Sequence, residues 1–342
     1  MVRFLVLIAV AFVMGIAAVW VVYRRVDRPI VLPKPRGPHA VGRSVLDLID
    51  TRRNREMMLF LWYPAADGSR GARAEYVPGK WGELWAKGLF PIPSRRLREI
   101  EVASVVNVPM TPAVHPLLML SPAMGRIPAD YTTIAEDLAS YGYIVAGVTP
   151  TGGARVVVFN NGRTVYGDDN IDLERRAETQ PMVQRWLEDV QFVLDQLLSG
   201  TFLVDSNRIG IFGHSFGGAV ATHAVAVDAR FRRGVNLDGA PQGILPQPLD
   251  RPFLFVNGAP LPPSQQALND RILGEIQGIC KADRAGCRIE DYPEAGHMNF
   301  SDLAVMPSRF PIPRSRMSLT NIDGVPFLRT TSDLLRRFFD AM

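Results

Sequence analysis

The sequence predicts an α/β protein with a mostly parallel sheet covered by helices on both faces, preceded by one apolar N-terminal segment. Three observations carry that prediction. Short apolar runs bounded by Gly, Pro and Asn alternate with amphipathic stretches along most of the chain, as parallel strands and their crossover helices do. The 342 residues, 47% hydrophobic and 21% charged, have the composition of a globular protein and suffice for one large domain. Finally, the apolar run Arg208–Gly213 ends in a Gly-x-Ser-x-Gly turn, and a small-residue helix, Gly217–Val227, follows at once.

Taken in order, the chain opens with Phe4–Tyr23, twenty residues without a charge, between Arg3 and Arg24-Arg25. As a helix such a run spans about 30 Å, the thickness of a bilayer core. It exceeds the h-region of a cleaved signal peptide and lacks a small-residue cleavage site at its end. Residues 1–27 therefore read first as a transmembrane or signal-anchor helix through residues 4–23, and second as a signal segment cleaved on secretion. Arg3 opposes Arg24, Arg25 and Arg28, so charge alone does not orient it. Residues 28–40, rich in proline and basic groups, read as an extended linker, and residues 41–342 as the α/β domain.

Ser44–Asp50 and Met57–Tyr63 read as strands, followed by a turn-rich connection to Gly79. Trp81, Trp85, Leu89 and Phe90 recur at helical spacing. Packing is their first reading, and a substrate- or membrane-facing lid beside Pro91-Ile92-Pro93 the second. Pro116–Ser121 and Tyr143–Thr149 are strands around an amphipathic helix, Ala129–Tyr141, with Tyr131, Ile134 and Leu138 on one face. Arg155–Phe159 and Thr164–Tyr166 form a hairpin, and Ile171–Leu198 is a long helical region interrupted near Pro181. Beyond the serine turn come strands Gly234–Leu237, Pro252–Val256 and Arg288–Tyr292, then a closing helix, Ser332–Phe339.

The net charge of +4 does not mark a nucleic-acid binder. Only four of the 38 basic residues are lysines, the rest are scattered arginines, and no basic block forms. Cys280 and Cys287 enclose a short loop that admits a disulfide, which would place the domain on the periplasmic or extracellular side. Two unpaired thiols are the other reading. Neither cysteine belongs to a C-x-x-C or zinc-ligand pattern, and no metal or organic cofactor is expected.

A serine on a sharp strand-to-helix turn projects its hydroxyl above the sheet, and the flanking glycines let strand and helix pack closely. Ser215 is thus the candidate nucleophile, and a weak one until a base, an orienting acid and oxyanion donors are supplied. That context is the nucleophile elbow of the α/β-hydrolase fold, in which the acid and then the histidine follow the serine. His297, in the loop after Arg288–Tyr292, is the one histidine placed late enough. His214 sits inside the turn and is expected to point away from the site, and His223 falls on the following helix. Asp238, at the end of Gly234–Leu237, is the first candidate acid. Asp270 is the second, with Asp283 and Asp291 more remote. The oxyanion donors are the backbone amide of Phe216 and one from Ser121-Pro122-Ala123-Met124-Gly125. Pro122 has no N–H, which leaves Met124 or Ala123.

The segments Gly213-His214-Ser215-Phe216-Gly217-Gly218, Leu237-Asp238 and His297 followed by Asn299-Phe300-x-Asp302 resemble the plasma-type platelet-activating-factor acetylhydrolase family and its bacterial esterase relatives. Asp137–Ala146 is similar to that family's stretch after the oxyanion loop, and the resemblance runs from Leu59 to Leu303. It implies an α/β-hydrolase fold, a Ser215–Asp238–His297 triad, and oxyanion amides at Met124 and Phe216. It also implies hydrolysis of short- to medium-acyl or lipid esters through an acyl-enzyme. Two departures stand out: Pro122-Ala123 replaces the family's His-Gly, and Pro150-Thr151-Gly152-Gly153 lacks its charged pattern. The competing readings are a catalytically silent lipid- or partner-binding protein, and an acyltransferase or amidase using the same residues.

Overall fold

The computed structural model describes residues 13–16, 30–87, 99–167, 176–200, 202–282, 285–306 and 314–342. Its strands are β1 (Val41–Asp50), β2 (Arg55–Pro64), β3 (Val105–Val106), β4 (His115–Ser121), β5 (Ile144–Thr149), β6 (Val156–Val158), β7 (Thr164–Tyr166), β8 (Val204–His214), β9 (Arg233–Leu237), β10 (Phe253–Asn257) and β11 (Arg288–Asp291). Its longer helices are α1 (Gly79–Lys87), α2 (Thr132–Ser140), α3 (Arg176–Ser199), α4 (Phe216–Val227), α5 (Gln266–Ala282) and α6 (Gly324–Phe339).

Nine strands form one sheet in the order β11-β10-β9-β8-β4-β5-β2-β1-β3, with β6 and β7 a separate antiparallel hairpin. Pairing is parallel from β11 through to β5, while β2 is antiparallel to both β5 and β1. Because successive side chains alternate across a strand, each central strand feeds two cores. In β2, Met58, Phe60 and Trp62 enter one core, while Met57, Leu59 and Leu61 enter the other. In β4, Leu118 and Leu120 take the first side, and Leu117 and Met119 the second. α1, α2 and α6 cover the first core; α3 and α4 cover the second, with Ile276 of α5 at its edge. Each fully buried aliphatic or aromatic side chain contributes roughly 1.5–3 kcal/mol, so the central strands carry much of the stability.

Three local expectations change. The first turn of the helix expected over Ala129–Tyr141 is a 3₁₀ segment, Pro128–Tyr131, as is frequent at helix N-termini, and it opens on a proline whose missing amide costs no intrahelical bond there. Pro181 lies inside an unbroken α3, five residues after its described start, where a missing amide costs one bond rather than the helix. The closing helix begins at Gly324, capped by the Asp323 side chain, which accepts from the Val325 amide at 3.1 Å.

The apolar run at residues 4–23 lies outside the described residues apart from the helical turn at 13–16. Among the described residues no helix is long and apolar enough to cross a membrane. Within the segment expected as a linker, residues from 30 onward are seated on the domain. Ile30 and Leu32 are buried, and their backbones exchange hydrogen bonds with Glu101. Arg36 forms ion pairs with Asp137 of α2 and Asp333 of α6, and the Gly37 amide donates to the Ser140 hydroxyl. Of the aromatic group near residue 85, Trp81 and Trp85 are core residues, Trp81 donating to the Val156 carbonyl at 2.8 Å. Leu89 and Phe90 lie outside the described residues.

Candidate active site

β8 runs through the middle of the sheet and ends at His214; Ser215 follows with φ 57° and ψ −124°, and α4 starts at Phe216. A non-glycine residue at positive φ costs on the order of 1–3 kcal/mol and persists only where its surroundings enforce it. The enforcement is visible. The Ser215 amide donates to the Leu237 carbonyl of β9, and its own carbonyl accepts from Gly218 and Ala219. A Cβ on Gly213 would overlap the Gly217 carbonyl, and one on Gly217 would overlap the carbonyls of Ser121 and Pro122. The two glycines thus let the elbow close and let α4 touch the loop after β4.

Asp238 follows β9, also at positive φ, where its amide donates to the Val256 carbonyl at 2.7 Å. The buried Asn236 side chain braces this turn, accepting from the Gly239 amide at 2.8 Å and donating to the Gly239 carbonyl at 3.0 Å. One oxygen of the Asp238 carboxylate accepts the Gly258 amide at 2.7 Å, and the other meets Nδ1 of His297 at 2.7 Å. A carboxylate so placed holds the Nδ1–H tautomer and leaves Nε2 as the basic nitrogen. The His297 loop is itself fixed by Asn299, whose Oδ1 accepts amides from Gly296 and Thr320.

Ser215, Phe216, Asp238 and His297 line one cavity of about 750 Å³, to which α5 and the loop after β10 add both apolar side chains such as Leu268, Ile272 and Ile276 and polar ones such as Arg271 and Glu275. Of the other candidate acids, Asp291 also lines this cavity but accepts from the Asn257 amide group, Asp270 is exposed and pairs with Gln266, and Asp283 lies outside the described residues. Among the described residues no group of acidic, histidine or cysteine side chains could hold a metal ion. Cys280 and Cys287 are joined, with Cα atoms 5.0 Å apart, linking the end of α5 to the start of β11.

The two amides expected to face an oxyanion are differently supplied. Phe216 opens α4, so its N–H is among those without an intrahelical acceptor. In the loop after β4, the Ala123 amide is already committed to the Tyr131 hydroxyl at 3.0 Å. Met124 is left with an amide that has no acceptor among the described residues.

His214 corrects the sequence reading. Its ring is outside the cavity, but it does not turn away from the catalytic groups. Fully buried, it packs 4.7 Å centroid-to-centroid from the His297 ring, and its Nε2 lies 2.8 Å from the His297 carbonyl. Its Nδ1 lies 2.8 Å from the Tyr131 hydroxyl. Burial, with the His297 charge as a second cause, holds this imidazole well below its ordinary value, hence neutral. Sequence reasoning missed this because the partner, Tyr131, lies far away in the chain and scans as an ordinary member of an apolar helix face. α5 was missed too, although Leu268, Ile272, Ile276 and Ile279 recur at helical spacing and could have announced it.

A serine on a strained elbow at the centre of a parallel sheet, with an acid and an imidazole paired from the loops after β9 and β11, has the arrangement of an α/β-hydrolase site. The profile of the platelet-activating factor acetylhydrolase isoform II family matches residues 183–310, the span that contains Ser215, Asp238 and His297. The chain has an α/β-hydrolase fold and resembles this family.

A platelet-activating factor acetylhydrolase from Cavia porcellus is 28% identical over 243 residues, 60% of this chain and 55% of that protein. One from Canis lupus familiaris is 26% identical over 66% of this chain and 60% of its own length. The matches thus span less than two thirds of these relatives. Among solved structures, a ferulic acid esterase from Streptomyces cinnamoneus superposes with a TM-score of 0.79 at 28% identity, covering 92% of this chain and 93% of its own. These relatives are named as carboxylic-ester hydrolases.

Proposed function

We propose that this chain is a serine carboxylic-ester hydrolase that works through an acyl-enzyme on short- to medium-acyl or lipid esters. The observation that carries the reading is the continuous chain Gly258 N–H, Asp238 carboxylate, His297 Nδ1, in a cavity shared with Ser215. In this reading His297 Nε2 takes the Ser215 proton as Oγ attacks the acyl carbon. The carbonyl oxygen, now negative, receives the Phe216 and Met124 amides. Collapse of the tetrahedral intermediate breaks the bond to the leaving alcohol, which takes the proton from His297. Water, deprotonated by the same imidazole, then cleaves the acyl-serine and restores the free hydroxyl. The apolar side chains that α5 adds to the cavity, Leu268, Ile272, Leu273 and Ile276, favour an acyl or alcohol group with some hydrocarbon.

The location belongs to the same proposal. The charge-free run at residues 4–23 is long enough for an anchor, and the Cys280–Cys287 bond favours an oxidising compartment. The catalytic domain would then face the periplasm or cell exterior.

A fluorophosphonate probe should label the folded protein at Ser215, and Ser215→Ala should abolish both labelling and p-nitrophenyl acetate turnover. A folded wild-type chain that neither labels nor turns over ester would leave the catalytically silent binder as the better account. Rates on p-nitrophenyl esters of increasing chain length would then report the depth of the cavity.

A further inference from the structure

We infer that His214 and Tyr131 form a one-directional hydrogen-bond relay that locks the oxyanion loop to the main chain of the base, making His214 a positioning residue. The inference rests on the ester-hydrolase reading above for the meaning of its rate effects, though not for the relay itself.

The proton order follows from what each atom can do. A carbonyl oxygen only accepts, so the contact between His214 Nε2 and the His297 carbonyl at 2.8 Å requires the proton on Nε2. A neutral imidazole has no second N–H, so Nδ1 is an acceptor, and the Tyr131 hydroxyl 2.8 Å away must donate to it. The tyrosine oxygen keeps its lone pairs and takes the Ala123 amide proton at 3.0 Å. The series therefore reads Ala123 N–H to Tyr131 O–H to His214 Nδ1, then His214 Nε2–H to the His297 carbonyl.

Tyr131 and His214 are fully buried and Ala123 nearly so, so water cannot replace a lost partner. Reversing any member would set two donors or two acceptors face to face. Tyr131 also meets the His214 ring edge-on at 5.7 Å, and the Phe300 ring lies 6.0 Å from that imidazole.

Each end of the series sits on, or one residue from, a group of the proposed reaction. Ala123 precedes Met124, His214 precedes Ser215, and the terminal acceptor is His297 itself. The series also accounts for Pro122-Ala123. Proline has no amide to give and Ala123 has already given its own, so the hole's second donor falls to Met124 alone. A shift of the oxyanion loop is thereby transmitted to the base.

The test begins with the unaltered protein. Nitrogen-15 NMR of its histidine rings should show His214 as the Nε2–H tautomer, unchanged across neutral pH. An Nδ1–H tautomer, or a His214 that titrates there, overturns the relay without any variant needing to fold.

Kinetics supply the second arm. His214→Phe keeps a flat ring but removes both bonds. It should lower kcat by about tenfold or more while KM moves less than about threefold. His214→Gln, whose amide offers one acceptor and one donor, should recover most of that loss. Tyr131→Phe should resemble His214→Phe, and the double variant should be no slower than the slower single one. A folded His214→Phe protein with wild-type kcat, or single effects that multiply in the double variant, would reject the inference. Failure of wild-type labelling at Ser215 would instead reject the ester-hydrolase reading, and the tautomer measurement would still judge the relay.

Discussion

α4 and α5 both border the same cavity, and they are held in opposite ways. Every residue of α4 from Phe216 to Ala226 is buried, whereas α5, though longer, buries Ile276 alone. α4 is wedged by backbone contacts to Ser121 and Pro122, and α5 is tied at its end by the Cys280–Cys287 bond. The groups that need fixed geometry stand on the tightly packed side; the wall that shapes the substrate's environment stands on the loosely packed one. Such a division lets the wall vary without disturbing the nucleophile.

The strongest challenge to that contrast is Gly213→Ala. Its new methyl has nowhere to go but into the Gly217 carbonyl, so we expect a loss of about 4 kcal/mol or failure to fold, read by urea denaturation. Near-normal stability would mean the elbow is not over-determined. Next in size is the acid. Asp238→Asn should reduce kcat by about 10⁴-fold, since it favours the wrong tautomer of His297. Asp270→Asn, on exposed α5, should leave kcat within about twofold. The reverse outcome would move the acid to the loose side and dissolve the comparison.

A smaller effect concerns pH. Asp302 is fully buried, meets Tyr76 and Thr133, and burial pushes its carboxyl up to about 8 from an ordinary 3.8. The folded state therefore binds this proton more tightly than the unfolded chain. Its stabilising contribution is full below 3.8 and is lost as pH rises through about 8. Asp302→Asn, which mimics the protonated acid, should flatten the fall of Tm over that window. A wild-type-like fall in the variant would show that Asp302 is not its source. The smallest stability change should come from Ile272→Ala on α5. We expect a Tm within about 3 °C of wild type, but KM for longer-chain esters altered several-fold. A large drop in Tm would show α5 to be as firmly held as α4.

Much of the tightly held side was legible in the sequence. Glycine spacing announces the elbow because only glycine fits there, and chain order selects His297. Asp238 was reached by its position at a strand end, but its anchoring by Gly258 is a contact between residues distant in the chain. His214 was misjudged for the same reason: its meaning depends on Tyr131 and the His297 carbonyl, which the local pattern does not contain. α5 was legible and not read: Leu268, Ile272, Ile276 and Ile279 recur at helical spacing, although only Ile276 is fully buried. The linker reading failed from Ile30 onward, since proline-rich composition describes an extended chain without saying what it lies against.

That seated segment has a mechanical consequence. Arg36 and Gly37 grip α2 at Asp137 and Ser140, where the chain is about to enter β5 at its amino end. Ser215, Asp238 and His297 stand at the carboxyl ends of the strands. Tension applied to the polypeptide ahead of Ile30 would meet the Glu101 backbone pairing first and then the Arg36 and Gly37 grip, which lies at the sheet end opposite the cavity. The load would be shared by the Glu101 backbone pairing and the arginine clasp before it reached the catalytic loops.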